Sequence, residues 1–242
     1  MFFAQFIQFF INGLMGGAIY ALIAIGIVSI YKATKVVNFA HGYIIMFGAY
    51  FYYTFSVIIP GIEWMPDWLL SWEPMWLVEW SDNLPMLSLL SSVAEWVKNL
   101  PRIMLGIIGA LICNSILGLL IERFLMRPLM GQSAFAMIMV TVGLISVLSG
   151  LANLIWTADA DFVPYIAPNA PIRISIFGAT IFIFGSDLIN VLIALILFAF
   201  VVGSLKYFQS GIAIRATAED QSTAYSMGIS VPKVFAGAWW LA

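Results

Sequence analysis

Long runs of apolar residues separated by short polar segments make up most of the chain. A helix that crosses a bilayer needs roughly 20 apolar residues. Five runs approach or exceed that length: Phe2–Tyr31, Val36–Ile62, Ile103–Ile121, Pro128–Ala158 and Leu188–Leu205. A shorter run, Ile174–Ser186, is rich in Ile, Phe and Thr and predicts a hairpin or a re-entrant piece. The pattern predicts an all-α polytopic transmembrane bundle of about five full spans, with the start of a sixth after Lys233.

Composition supports a single transmembrane domain over residues 1–242. The chain is 63% hydrophobic and 9% charged, with a mean hydropathy of +1.03, which is typical of a protein surrounded by lipid. Its net charge of -2 excludes a basic surface for nucleic acid. The nine uncharged residues after Lys233 are too few for a span, so we expect the domain to be incomplete at the C-terminus.

The distribution of Lys and Arg predicts the orientation of the spans, because cytoplasmic loops carry an excess of these residues. One orientation places seven of the ten basic residues in the cytoplasm. It puts the N-terminus and the loop over residues 60–101 outside, and residues 206–233 in a cytoplasmic loop. The opposite orientation would put six acids and a single lysine of the 60–101 loop in the cytoplasm.

The long outer loop carries tryptophans at every fourth position. They are Trp64, Trp68, Trp72, Trp76 and Trp80. Indole side chains favour the membrane interface, so the loop is interpreted either as a lid lying on the lipid headgroups or as a docking surface for an external partner. In the next outer loop, Asp159 and Asp161 are one residue apart, and without further ligands they do not predict a metal site.

Polar residues near the start of the second apolar run are candidates for a solute pathway. Asn38 and His41, the only histidine, lie a few residues into that run and are followed by Gly42. Polar side chains at depth tend to face a cavity, and a helix broken at glycine exposes backbone groups to a polar solute. We therefore predict one broken helix near Asn38–Gly42 and include Asn12 among the pathway candidates. A hydrogen-bonded structural kink is the alternative.

The segment from Gly211 to Ile229 is the long polar, helix-prone stretch on the predicted cytoplasmic side. It predicts an alanine-rich helix that ends at a glycine and docks onto a soluble partner. Charged residues at i, i+4 and i+5 would share one side of that helix. The candidate coupling residues are Gly211, Arg215, Ala218, Glu219, Asp220 and Gly228. A face that is merely solvated is the alternative.

The remaining motifs argue against catalysis on this chain. No GxxxxGK[ST] sequence is present, so the chain has no P-loop of its own for ATP. Ser149-Gly150 could suggest an intramembrane serine protease, but His41 would be the only base and no protease motif accompanies it. Glu122, Arg123 and Arg127, at the cytoplasmic end of the third run, predict a solvated turn.

Four segments resemble the permease subunits of branched-chain amino acid ABC importers, the Liv-type family. They read NGLMGGAIYALIAIG…VVNFAHGYIIMFGAY, IERFLMRPLMG, TVGLISVLSGLANLIW and GIAIRATAEDQSTAYSMGI, in the order in which the family has them. The resemblance implies a second permease subunit, identical or homologous, two cytoplasmic ATPases and an extracytoplasmic solute-binding protein. It also implies that ATP and Mg²⁺ bind the ATPases, with no cofactor on this chain. The Trp-rich loop departs from the family pattern.

The leading hypothesis is a non-enzymatic permease subunit that moves branched-chain or aliphatic amino acids across a bacterial or archaeal plasma (inner) membrane. A zwitterion crosses hydrocarbon only through a shielded, partly polar cavity that opens alternately to each side. The same machine carrying urea or short amides is the related alternative. A passive channel, which would need no ATPase, is the alternative from another class.

Overall fold

Helices form wherever the apolar runs are long. The computed structural model describes residues 2–60, 97, 99–129, 132–156, 171–176 and 179–241. The helices are α1 (Phe2–Thr34), α2 (His41–Tyr53), α3 (Leu100–Ile121), α4 (Ala134–Trp156), α5 (Gly185–Tyr207), α6 (Gln209–Glu219), α7 (Gln221–Ser226) and α8 (Val231–Leu241). A π-helical turn, Thr54–Ile58, continues α2, and a second one, Glu122–Met126, continues α3 and leads into the 3-10 turn Arg127–Leu129.

Four helices in the described part of the chain are long and apolar enough to cross a membrane. They are Gln5–Thr34, Leu100–Leu129, Phe135–Trp156 and Gly185–Tyr207. These helices match the first, third, fourth and fifth predicted runs, and they confirm a multi-pass helical membrane protein. The predicted span Val36–Ile62 is not among them. Its helical part comprises α2 and the π-helical turn after it, and it contains a histidine and four tyrosines, which lower its hydropathy.

The break between the first two helices overlaps the predicted position near Asn38–Gly42 and begins a few residues earlier. α1 ends at Thr34, and Lys35 follows with φ 59°, a left-handed conformation that stops a helix. Residues 35–40 are not helical, and α2 begins at His41. The predicted broken helix near Asn38–Gly42 is confirmed, but the break ends before the glycine, because Gly42 lies inside the first turn of α2. The turn is made by the Asn38 side chain instead.

The run after residue 170 forms a hairpin, which confirms one of the two predicted alternatives. β1 (Pro171–Ile176) and β2 (Ala179–Phe184) are antiparallel, with Arg173 opposite Phe182. The Gln8 side chain binds the Phe182 backbone: its Nε2 donates to the carbonyl at 2.7 Å, and its Oε1 accepts from the N–H at 2.8 Å. An edge strand leaves such backbone groups unpaired, so a side-chain amide can satisfy both.

The chain divides into two compact units. The first comprises Met1–Tyr20, Tyr52–Gly109 and Asp161–Ile196. Within it, glycines let α3 approach closely the end of α2 and the π-helical turn that continues it. A Cβ placed at Gly109 would collide with the Phe55 ring, and one at Gly106 would lie 2.8 Å from the Tyr52 ring. Small residues at a helix interface allow this approach in membrane proteins.

The second unit comprises Ala21–Phe51, Ala110–Ala160 and Leu197–Ala242. Ten buried residues, which we name the central cluster, form its main core: Ile30, Ala40, Ile44, Phe47, Ile121, Met126, Leu144, Leu148, Ala152 and Trp239. Trp156 of α4 stacks on Tyr50 of α2, with ring centroids 4.9 Å apart. This core joins the start of α2 to α4 and α8.

Two features of the sequence analysis lie outside the described residues. They are the Trp-rich stretch of the 60–101 loop, within residues 61–96, and the acids Asp159 and Asp161.

Candidate functional site: the Asn38 turn and the cytoplasmic segment

The Asn38 turn, defined as residues 35–40, sets the start of α2. The Asn38 Oδ1 accepts a hydrogen bond from the Ala40 N–H at 3.0 Å, and the Asn38 carbonyl accepts one from the His41 N–H at 3.3 Å. This side-chain turn replaces helical bonds over the polar segment. Asn38 and His41, two of the predicted pathway residues, are therefore brought together, and each is only 3% exposed.

Both residues keep a buried polar atom that has no hydrogen-bond partner among the described residues. These atoms are Asn38 Nδ2 and His41 Nδ1, and Trp239 Nε1 of α8 is a third. Asn38 and Trp239 line one cavity of about 20 Å³ together with Thr141 of α4. Unpaired buried polar atoms are rare in native proteins, and in membrane proteins they mark functional positions. The cavity thus joins the Asn38 turn to α8, the helix that follows residues 211–229. We name residues 211–229 the cytoplasmic segment, after the location that the sequence predicts for them.

The other two predicted pathway residues are placed differently. Asn12 is exposed in the first unit, where its Oδ1 accepts a hydrogen bond from Gln8 Nε2 at 3.0 Å. This bond helps to orient the Gln8 amide toward the hairpin. Gly42 has open space on its Cβ side, since no atom of the described residues lies within 4 Å of a Cβ placed there. Gln8 was missed by the sequence analysis because a lone amide inside an apolar run gives no sign of a partner 174 residues away.

The cytoplasmic segment forms two helices, so the prediction of one helix from Gly211 to Gly228 is wrong. α6 ends at Glu219, and Asp220 is extended, with φ -151° and ψ 117°. Asp220 caps α7: its Oδ1 accepts from the Ser222 N–H at 2.8 Å and the Thr223 N–H at 3.3 Å. These bonds and those from the Ser222 and Thr223 hydroxyls lower the pKa of Asp220 to about 2. Aspartate competes with the helix for such bonds and therefore favours caps.

The Arg215 side chain is hydrogen-bonded to the end of the preceding helix, α5. Its Nη1 donates to the Leu205 carbonyl at 2.5 Å and lies 3.4 Å from the Lys206 carbonyl. The last carbonyls of a helix lack partners within it, and a basic side chain can satisfy them. Glu219 is exposed at the end of α6 and Ala218 is half-buried. Within the described residues, Arg215 and Glu219 form no ion pair.

The predicted glycines stand at the two ends of the segment, Gly211 where a neighbouring helix approaches closely and Gly228 where the backbone has a positive φ. A Cβ at Gly211 would collide with the carbonyl oxygens of Ser204 and Leu205, so only glycine lets α6 pass so close to the end of α5. Gly228 has φ +85°, a conformation that other residues adopt at a cost.

One side of α6 is buried against neighbouring helices. Ile214, 4% exposed, packs in a cluster with Ala33 of α1 and with Val231, Phe235 and Ala238 of α8. We name these five residues the Ile214 cluster. Ala33 is two residues before the Asn38 turn, and Ala238 precedes Trp239 of the central cluster. The cytoplasmic segment is thus connected by direct packing to the turn that carries Asn38 and His41.

The exposed side of the segment is partly apolar. Tyr225 is 70% exposed and Met227 is 79% exposed, and both are close in sequence to Gly228. Aromatic residues and methionine are enriched at protein interfaces. Neither residue was among the predicted coupling residues, although a tyrosine and a methionine inside a polar segment are a signal of a contact surface.

Glu122 is not the solvated residue that the sequence predicted. Its side chain is 1% exposed, whereas that of Arg127 is 42% exposed. The pair is bidentate, with both nitrogen–oxygen distances at 3.2 Å. The π-helical turn brings the two residues together at i and i+5, a spacing that an α-helical pattern would not suggest. A buried carboxylate without its partner would be costly, so the pair fixes this turn.

Comparison with known proteins adds a family to this geometry. The family model described as the branched-chain amino acid transport system permease component matches residues 9–242 of the sequence. The chain is 27% identical over 245 aligned residues to LivH of Salmonella typhimurium, a high-affinity branched-chain amino acid transport system permease protein. It is 26% identical to LivH of Escherichia coli K12 and 26% identical to BraD of Pseudomonas aeruginosa, which carry the same description.

The alignments cover nearly all of this chain but less of its relatives. They span 97% of the chain and 66% of each LivH protein, and 96% of the chain and 65% of BraD. No solved structure matches the chain.

Proposed function

Because the chain belongs to the family of branched-chain amino acid transport permeases, we propose that it is the transmembrane subunit of an ABC importer for branched-chain or aliphatic amino acids. In this proposal it acts in a plasma membrane with a second permease subunit, two cytoplasmic ATPases and a solute-binding protein. The ATPases bind ATP and Mg²⁺, and this chain performs no chemistry on the solute.

The packing around α6 is the observation that supports coupling most directly. A movement of α6 would be transmitted through Ile214 to Ala33 at the end of α1, and through Phe235 to α8. Trp239 of α8 shares a cavity with Asn38. Coupling between distant sites is carried by such chains of packed side chains and stiff helices. ATPase closure at the cytoplasmic segment would therefore change the surroundings of Asn38 and His41.

The surface that meets the ATPase is proposed to combine Glu219 with Tyr225 and Met227. Glu219 ends α6, while Tyr225 and Met227 surround the end of α7, and all three are exposed. Exposed apolar residues within a charged rim are typical of the centre of an interface. Asp220 has a different role, because its carboxylate is used in capping α7.

Copurification of the ATPase with the full permease tests this surface. We expect Met227→Glu to weaken ATPase retention about thirtyfold, the effect of losing an interface residue worth about 2 kcal/mol. We expect Glu219→Lys to lose solute uptake or ATPase retention while the permease still inserts. Met227→Leu, which keeps an apolar side chain, is the matched control and should retain the ATPase.

The same preparation separates the alternative functions. Uptake of leucine that requires ATP and the binding protein supports the proposed importer, while uptake of urea or acetamide in its place would identify the solute as an amide. Solute flux without ATP would indicate a channel. Normal transport by both Met227→Glu and Glu219→Lys, with the ATPase attached, would show that the contact surface lies elsewhere.

A further inference from the structure

A groove between α1 and α5 in the second unit is not used by the proposed transport path. It has a volume of about 530 Å³ and is lined on α1 by Ala21, Ala24, Ile25, Val28 and Lys32, and on α5 and α6 by Phe198, Val202, Leu205, Lys206, Ile214 and Arg215. The volume is within the range of about 300–1,000 Å³ that is typical of ligand pockets.

The lining residues change from apolar to basic along the groove. The residues on α1 are spaced at i, i+3, i+4, i+7 and i+11, so they follow one side of the helix. All are apolar from Ala21 to Val28, and Lys32 stands at the end. On α5 the apolar Phe198 and Val202 likewise precede Lys206. One end of the groove is therefore aliphatic and aromatic, and the other end is cationic.

The length of the groove matches one leaflet of a bilayer. Ala21 and Lys32 are 11 residues apart in a continuous helix, which gives a rise of about 16 Å at 1.5 Å per residue. Half of the roughly 30 Å hydrocarbon core is about 15 Å. A groove that begins in the hydrocarbon near the midplane thus ends at the level of the lipid phosphates.

The cations at that end are not neutralised by any carboxylate of the described residues. Lys32, Lys206 and Arg215 are all exposed, and in the described ranges none of them lies within salt-bridge distance of a carboxylate. The Lys206 ammonium lies 5.3 Å from the Tyr207 ring centroid, and Arg215 donates to backbone carbonyls. Both arrangements orient the cation without neutralising its positive charge.

From these observations we propose that the groove binds one anionic phospholipid of the leaflet in which Lys32 and Lys206 lie. Its acyl chain occupies the groove along α1, and its phosphate is bound by Lys32, Lys206 and Arg215. Basic residues at the end of apolar grooves between transmembrane helices are typical of such sites. The proposal depends on the chain spanning a bilayer and is independent of the solute that it carries.

Arg215 gives the bound lipid a connection to α6. Its guanidinium joins the end of α5 to α6 through the Leu205 and Lys206 carbonyls, and it also lines the groove. A phosphate beside this side chain would hold the α5–α6 junction in the arrangement described here. The lipid is thus expected to stabilise the cytoplasmic segment.

Native mass spectrometry of the purified full complex, titrated with phosphatidylglycerol or phosphatidylcholine, tests the proposal. We expect one phosphatidylglycerol to remain bound and phosphatidylcholine to be lost. The double variant Lys32→Gln/Lys206→Gln should bind phosphatidylglycerol about thirtyfold more weakly, since each basic residue near a lipid surface contributes about 1 kcal/mol. Ala24→Trp, which fills the apolar part of the groove, should also reduce binding.

Lys233→Gln is the matched control, because Lys233 is exposed in the same unit and lines a different cavity. It should bind phosphatidylglycerol like the unchanged protein. Equal retention of the two lipids, an equal loss with Lys233→Gln, or no effect of Ala24→Trp would each overturn the proposal. Displacement of the lipid by millimolar glycerol phosphate would identify a site for free phosphates instead. Absence of bound lipid from a complex that transports normally would leave the importer intact and reject the lipid site.

Discussion

At the scale of single residues, Asp220 shows how one side chain can end one helix and begin another. Its carboxylate accepts hydrogen bonds from two backbone N–H groups and two hydroxyl groups of Ser222 and Thr223. Helices begin where a side chain can accept from N–H groups that have no partner in the first turn. α7 has only six residues, so this cap contributes a large part of the stability of the helix.

Substitution of Asp220 by a residue that cannot cap should therefore destabilise α7. We expect Asp220→Ala to accelerate hydrogen exchange at the Ser222 and Thr223 amides by about fivefold, and Asp220→Asn, an equally good cap, to leave it nearly unchanged. The capping contribution is fully present above the ordinary pKa of 3.8 and is lost as the pH falls through about 2. Hydrogen exchange measured at pH 7 is the direct test, and equal rates in the two variants would contradict the capping role.

His41 is the residue for which a pathway role is most easily tested. Replacement by Phe keeps an aromatic ring of similar size and removes both ring nitrogens. If His41 binds or orients the solute, uptake should fall by up to about tenfold, the effect of one lost hydrogen bond, while assembly and basal ATP hydrolysis persist. Unchanged uptake would support the structural-kink interpretation of the Asn38 turn.

At the scale of helices, the junction between α5 and α6 depends on a close backbone approach. Gly211 faces the Ser204 and Leu205 carbonyls, and any side chain there would push α6 away from α5. We expect Gly211→Ala to destabilise the protein by about 1–3 kcal/mol, the usual effect of overpacking. Gly237→Ala is the matched control in α8, where a Cβ would have no atom of the described part of the chain within 4 Å. Thermal unfolding of both variants in detergent compares their stabilities. Equal unfolding midpoints would contradict the expected destabilisation by Gly211→Ala.

Helix positions were easier to predict than helix ends and side-chain partners. Apolar runs are set by the thickness of the bilayer, so four spans could be located from composition alone. The break at Asp220, the turn that Asn38 makes before α2 and the buried Glu122–Arg127 pair depend on individual hydrogen bonds and on a π-helical turn. Such contacts have no periodic signal, which is why the single cytoplasmic helix and the solvated turn were predicted wrongly.

At the scale of the whole molecule, the direction of the spans decides what every surface can bind. The cytoplasmic segment can meet an ATPase only if residues 206–233 lie in the cytoplasm, and the groove cations then lie in the inner leaflet. The prediction rests on seven of ten basic residues falling on that side. Gln221 is exposed at the start of α7, and Ser81 belongs to the outer loop, outside the described residues.

Cysteine labelling of intact cells tests this orientation. The native Cys113 is half-buried and is first replaced by Ala, after which single cysteines are introduced at Ser81 or at Gln221. We expect a membrane-impermeant maleimide to modify the cysteine at position 81 and to spare the one at 221 until the membrane is permeabilised. The permeabilised sample is the control for reactivity at each site. Labelling of position 221 alone in intact cells would reverse the topology, and an ATPase could then no longer reach Glu219, Tyr225 or Met227.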